Sequence, residues 1–130
     1  MAEYEAEHRR IREWRWTLQS FLRDSKNILK RHGTTTLQYQ SMLEVWATSD
    51  ARGLTVGELA KLLRVRHNTA VSVVNVLCTK KLASRTRSED DKRVVYVQLT
   101  PQGSTLLATL VNEHARELDQ ISADLRRIIG

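Results

Sequence analysis

Residues 54–101 read LTVGELAKLLRVRHNTAVSVVNVLCTKKLASRTRSEDDKRVVYVQLTP, and the order of elements in that stretch decides the fold. Thr55-Val56-Gly57-Glu58 has the form of a capping box. A hydroxyl at the cap and a carboxylate three residues later satisfy each other's orphan backbone N–H groups, so a short helix opens here and runs to about Leu63. After a brief turn at Arg64-Val65-Arg66, another helix is expected to start near Asn68 and run to about Lys80. Its inward stripe is Ala70, Val73, Val74 and Leu77, set at helical spacing. Then the period changes. Leu82 to Arg87 and Val94 to Leu99 have strand character, the second strongly β-branched, and polar Ser88-Glu89-Asp90-Asp91-Lys92 joins them as a hairpin. Thr100-Pro101 ends the ribbon as N-cap and first residue of a further helix.

All the net charge lies in one window of that stretch, Lys61 to Arg93. Lys61, Arg64, Arg66, Lys80, Lys81, Arg85, Arg87, Lys92 and Arg93 stand against Glu89, Asp90 and Asp91, which accounts for the whole formal charge of +6. An excess confined to one quarter of the chain reads as a footprint for a polyanion or as a solvated basic face. The order of elements favours the footprint: two short helices, a tight turn and a basic hairpin make a winged helix-turn-helix. In such a unit the second helix fits the major groove of double-stranded DNA, whose width admits an α-helix.

The outward face of that helix (about 68–80) carries Asn68, Ser72, Asn75, Val76 and Thr79, small or polar and without an acid. His67, Asn68 and Thr69 in the first turn would reach deepest, with Arg66 just before them. Val71 and Val76 either contact thymine methyl groups or widen the core stripe. On the wing (about 85–97), Arg87, Lys92 and Arg93 surround the tip. A long cation there suits a narrow groove of enhanced negative potential. Asp91 is placed to hold Arg93, or serves turn propensity alone.

Outward from this centre, residues 6–31 contain no glycine or proline. Ile11, Trp14, Leu18, Phe21, Ser25 and Ile28 recur at steps of three and four, with Leu22 and Leu29 beside the stripe, so a long helix is expected, closed by His32-Gly33. Thr35-Thr36-Leu37-Gln38 is a second capping-box candidate, in which Thr35 and Gln38 would serve each other, opening a helix to about Ala47. It should bury some of Tyr39, Met42, Leu43 and Trp46. Asp50-Ala51-Arg52-Gly53 is turn chemistry. From Pro101 to Ile129 a long helix carries Leu107, Val111, His114, Leu118, Ile121, Leu125 and Ile128 on one seam. The expected class is mainly α with a small β-hairpin wing.

At 130 residues the chain reads as a single domain large enough to bury a core without staples. One cysteine excludes an intrachain disulfide and fits a reducing compartment. The acidic start, Met1-Ala2-Glu3-Tyr4-Glu5, is wrong for a signal peptide, and no apolar run suits a membrane span, so a cytoplasmic setting is expected. Four scattered histidines, no phosphate-cradling glycine loop and no Cys/His/Asp spacing for a metal or triad argue against an enzyme and against a cofactor.

The chain resembles the MarR family of bacterial winged-helix regulators. The resemblance covers Thr35-Thr36-Leu37-Gln38-Tyr39, Leu54 through Ala60, and Leu99-Thr100-Pro101-Gln102-Gly103. Its most specific part is Asp91-Lys92-Arg93 before a β-branched strand ending in Leu-Thr-x-x-Gly. The resemblance implies that Arg93 reaches into the minor groove and that Asp91 orients the wing. It also implies a homodimer built from the chain ends (about 6–32 and 101–129) around a DNA-binding lobe (about 35–100), acting as a repressor on a palindromic operator. The two terminal helices packing only on each other, and a winged helix used as an architectural, replication or partner-docking module, are the alternatives.

Relatives often respond to a small aromatic ligand, and Trp14, Trp16, Tyr39, Met42 and Trp46 either line a cleft for one or belong to the core. Cys78 is either an oxidant sensor or a small buried hydrophobe. His114 is either a pH-sensitive dimer contact or a hydrogen-bonded interface histidine. The sequence departs from the family pattern in three places. Arg66 stands where a small polar N-cap is usual, Lys81 stands where glycine usually precedes the first wing strand, and Gly130 comes where relatives often add a further helix.

Overall fold

The computed structural model describes residues 2–48 and 52–129. Its elements in chain order are α1 (Ala2–Arg31), α2 (Thr36–Ala47), β1 (Leu54–Thr55), α3 (Val56–Leu63), α4 (His67–Thr79), β2 (Ala83–Arg87), β3 (Val95–Leu99) and α5 (Pro101–Ile129). The chain forms two compact units. One holds the residues up to Gly33 and from Leu110 onward; the other is Thr34–Thr109.

Thr34–Thr109 is the winged lobe. Ala70, Val73, Val74 and Leu77 of α4 are all buried, as the helical spacing requires, together with Met42, Val45, Leu59, Ala60, Leu82, Val97 and Leu107. Each fully buried Leu or Val contributes about 1.5–3 kcal/mol relative to exposure, so this stripe is what fixes α4 on the lobe. The capping box at α3 is complete: Glu58 N–H donates to Thr55 Oγ1 at 3.1 Å and Thr55 N–H donates to Glu58 Oε1 at 3.0 Å. At α2 the pattern is half used. Gln38 N–H donates to Thr35 Oγ1 at 3.2 Å, but the Gln38 side-chain oxygen accepts from Lys80 Nζ at 2.8 Å instead of returning to the cap. A cation beyond the end of α4 competes successfully for that amide.

The wing is a three-stranded antiparallel sheet in the order β1-β3-β2, not a bare hairpin. Leu54 pairs with Val97 and Thr55 with Tyr96, while β2 pairs along β3 from Ala83 opposite Leu99 to Arg87 opposite Val95. Two residues are too few to show strand periodicity, so β1 exists only because β3 offers it a free edge. Of the turn before it, Asp50 and Ala51 lie outside the described residues; Gly53 has φ +88°, and a Cβ there would meet Val97 O at 2.2 Å.

Two departures from the family pattern have a local explanation. The helix α4 starts at His67, one residue before the expected Asn68, with Arg66 as an N-cap that makes no side-chain capping bond. Lys81 adopts φ +62°, the left-handed conformation that glycine enters without cost. Its neighbours hold it there: Lys81 N–H donates to Cys78 O at 3.0 Å, and Thr100 Oγ1 donates to Lys81 O at 2.6 Å. Thr100 also caps α5, accepting from Gly103 N–H at 3.0 Å. Gly103 is required by close approach, since a Cβ would lie 1.9 Å from Leu82 O. The Leu-Thr-x-x-Gly signature is thus a helix cap followed by the one residue thin enough to pass the chain entering β2.

In the other unit α1 and the C-terminal part of α5 meet through side chains. Gly33, at φ +67°, ends α1. His114 is buried, and its Nδ1 lies 2.7 Å from Leu110 O. A carbonyl only accepts, so Nδ1 donates, and in the neutral ring Nε2 accepts from Ser25 Oγ at 2.7 Å. Both ring nitrogens therefore have hydrogen-bond partners within the chain. Beside it His32 Nε2 and Glu113 Oε2 are 2.9 Å apart. Much of the apolar seam is nevertheless uncovered: Ile11 and the adjacent Leu22 on α1 and Leu118 on α5 are more than half exposed, as is Trp16 away from the seam.

Candidate nucleic-acid interface

Three pieces of the winged lobe present polar side chains: the outward face of α4, the turn before it, and the wing tip. His67, Asn68, Thr69, Ser72, Asn75 and Thr79 are all exposed on α4, with Val76 beside them, and no acid interrupts the face. Val71 is half-buried, which makes it part of the widened core stripe, and Cys78 is half-buried at the same edge. Arg64 ends α3 in the left-handed conformation and Arg66 opens α4, so the turn exposes two cations beside the start of α4. All nine Lys and Arg of the charged window are exposed.

The wing tip is a closed structure. Ser88 N–H donates to Val94 O at 2.8 Å and Val94 N–H to Asp91 O at 2.9 Å, while Asp91 N–H donates to Ser88 Oγ at 3.2 Å. Asp91 then holds Arg93 three ways: the backbone N–H and Nε both donate to Oδ1 at 3.1 Å, and a terminal nitrogen donates to Oδ2 at 3.2 Å. The first of these is an Asx turn and the other two form a fork, the geometry for which guanidinium and carboxylate are matched. Hydrogen bonds from the Arg93 side chain, then from its backbone, hold the Asp91 carboxyl below its ordinary pKa. Arg93 itself projects into solvent, its side chain 91% exposed. Arg87 donates to Lys92 O, so the predicted wing cations Arg87, Lys92 and Arg93 gather at one tip.

One contact in this surface had no signal in the sequence. Arg85 of β2 donates to Asn75 Oδ1 of α4, tying the wing to that helix. The register explains how it gets there. Arg85 lies opposite buried Val97 and two residues from buried Ala83, so it leaves β2 on the core-facing side and emerges beside α4. On the opposite face Arg52 lies 5.1 Å from the centroid of the Tyr96 ring and donates to Tyr96 Oη at 3.2 Å and Glu58 Oε2 at 3.4 Å. Gln98 Nε2 donates to Arg52 O at 3.0 Å.

Trp14 belongs to one unit, Tyr39 and Trp46 to the other. Trp46 is two-thirds exposed and lines a shallow hollow with Val45, Thr48, Gly53, Gln98, Leu99 and Ser104, which Tyr39 does not reach. Burial raises the pKa of the Tyr39 phenol. Among the described residues no group of three His, Cys, Asp or Glu is placed to hold a metal, and no helix is long and apolar enough to cross a membrane.

A cap-turn-helix pair, an acid-free outward face on α4 and a three-stranded wing define a winged helix-turn-helix protein of the MarR fold. The family model for the transcriptional regulators SarA/Rot matches residues 23–110, and the chain belongs to that family, one of regulators rather than enzymes. It is similar to the HTH-type transcriptional regulator YhbI of Bacillus subtilis, 26% identical over 89 residues that make up 68% of this chain and 56% of YhbI. The chain therefore spans little more than half of that relative's length. Among solved structures it resembles a MarR family protein from Bacillus stearothermophilus, with TM-score 0.75, 21% identity and coverage of 93% of this chain and 81% of the other. It also resembles a MepR variant from S. aureus bound to an oligodeoxyribonucleotide, with TM-score 0.71, 21% identity and coverage of 88% and 91%.

Proposed function

We propose that the chain binds double-stranded DNA sequence-specifically as a homodimer and acts as a repressor on a palindromic operator. The observation that carries this reading is the division of labour on the winged lobe. Its small, polar, acid-free α4 face is flanked by nine exposed cations on α3, at the turn, beyond the end of α4 and on the wing. A helix reading base edges needs short polar side chains, whereas positioning on the backbone needs long cations. On this reading Arg66, Arg87 and Lys92 grip phosphates, and His67, Asn68, Thr69, Ser72 and Asn75 face the major groove. Arg93, held by Asp91, enters the minor groove, where narrow A·T-rich stretches attract arginine.

The dimer reading rests on the uncovered apolar seam of α1 and α5, because exposed Leu, Ile and Trp along two long helices mark an interaction surface. A two-fold dimer would set two α4 helices on half-sites one helical turn apart. The repressor sense follows the MarR resemblance, as does a small aromatic effector stacking on Trp14, Tyr39 or Trp46. Titrating the DNA complex with a phenolic compound and following tryptophan fluorescence checks the effector; no spectral change and no release of DNA would dismiss it.

Selection from a random duplex pool tests the whole reading. A palindromic winner bound roughly 10³-fold or more tighter than random duplex, two chains per site, is the expected result. Equal affinity for every duplex would replace it with an architectural or partner-docking role.

A further inference from the structure

We infer that Arg85 is a specificity-determining residue: by engaging Asn75 Oδ1 it turns the middle of the reading face into a donor-rich pair that favours guanine. Arg85 is on the wing and outside the reading helix, and this inference rests on the DNA-reading role proposed for α4. An asparagine in a major groove ordinarily reads adenine, accepting from the N6 amine with its oxygen while donating to N7 with its nitrogen. At position 75 the oxygen faces the Arg85 guanidinium, which has only donors to offer. One lone pair of that oxygen is taken and a cation lies beside the other, so the pair offers the groove mainly the Asn75 NH₂ and the unused N–H groups of Arg85. Guanine, with O6 and N7 both acceptors, matches such a pair; adenine sets its N6 amine against donors.

Ser72, one turn earlier on the same face, is committed in the opposite sense. Its hydroxyl donates to Asn68 O at 3.0 Å, so it presents only lone pairs outward. An acceptor-only residue reads an exocyclic amine, of cytosine N4 or adenine N6. The two residues, three apart on α4, therefore present opposite polarities to the groove, and the polarity of the second is set by a residue from β2. Both Arg85 and Asn75 are exposed, so changing either leaves the core untouched.

The test compares selection from a random duplex pool by the full chain, by Arg85→Met and by Asn75→Ala, followed by affinities for single-base variants of the winning half-site. For the unaltered protein one guanine in each half-site is expected, with replacement by adenine weakening binding about tenfold or more. Arg85→Met should remove or reverse that preference at this base pair alone, leaving discrimination elsewhere within about twofold. Asn75→Ala should lose it too, with the double variant no worse than either. If Arg85→Met weakens every sequence by the same factor, Arg85 is a phosphate contact and the inference is overturned while DNA reading stands. If the unaltered protein selects no sequence, the reading of α4 itself fails and the inference falls with it.

Discussion

Arg93 shows how much a single residue's placement depends on a neighbour. An exposed ion pair contributes little to stability, and the Asp91–Arg93 pair at the wing tip is no exception. Its value is geometric: the Asx turn and the fork aim a long side chain that would otherwise sample many rotamers. Arg93→Ala is expected to weaken binding to the selected operator by about 1–3 kcal/mol, read by fluorescence anisotropy. Unchanged affinity would remove the wing from the mechanism. Because the Asp91 pKa is depressed in the folded chain, the clamp is fully present above the ordinary carboxylate pKa and is released only as pH falls through the lowered value. Wing-dependent affinity should therefore be insensitive to Asp91 titration anywhere near neutrality. Lys81 is the opposite case, a residue in a conformation its side chain disfavours. Lys81→Gly should stabilise the fold by about 0.5–1 kcal/mol, seen as a higher urea midpoint; a lower midpoint would mean that the Lys81 side chain contributes more than its backbone strain costs.

At the scale of elements, what was legible in the sequence was whatever is local. The stripe of α4, the capping box of α3, the cap at Thr100 and the glycine stop of α1 depend on neighbours within one turn, and all are present as read. The unread features come from residues far apart in the chain. Strand β1 exists through Val97 and Tyr96, Gln38 abandons its cap for Lys80, and Asn75 is captured by Arg85, none of which the spacing within a segment can show. The start of α4 at His67 was masked because Arg66 lacks the side chain that normally announces a cap. The outward face of α4 was readable from the wheel, and Ser72→Glu tests its role. An acid pressed against the phosphates should abolish DNA binding while the melting temperature and oligomeric state stay the same. Loss of the fold instead would mean that Ser72 faces the core.

For the whole molecule, the basic window and the apolar seam of the long helices fall in different units. The window Lys61 to Arg93, with its +6, lies in the winged lobe, whereas exposed Ile11, Trp16, Leu22 and Leu118 lie on α1 and α5. Separate surfaces of opposite character suit a protein that meets a polyanion with one and its own copy with the other. Replacing Leu22 and Leu118 together by Arg should yield a folded monomer by sedimentation, with operator affinity reduced by about two orders of magnitude through loss of bivalent engagement. A dimer that survives the double substitution would place the interface elsewhere. The division between positioning cations and a reading face is the central claim, and one measurement addresses it most directly: the salt dependence of binding to the selected palindrome and to a scrambled duplex. Several phosphates neutralised by the window should make log Kobs fall steeply with log salt on both, by about 0.9 per phosphate. The palindrome should keep an advantage of roughly 10³-fold. Affinity that ignores salt, or two duplexes whose lines coincide, would contradict the account.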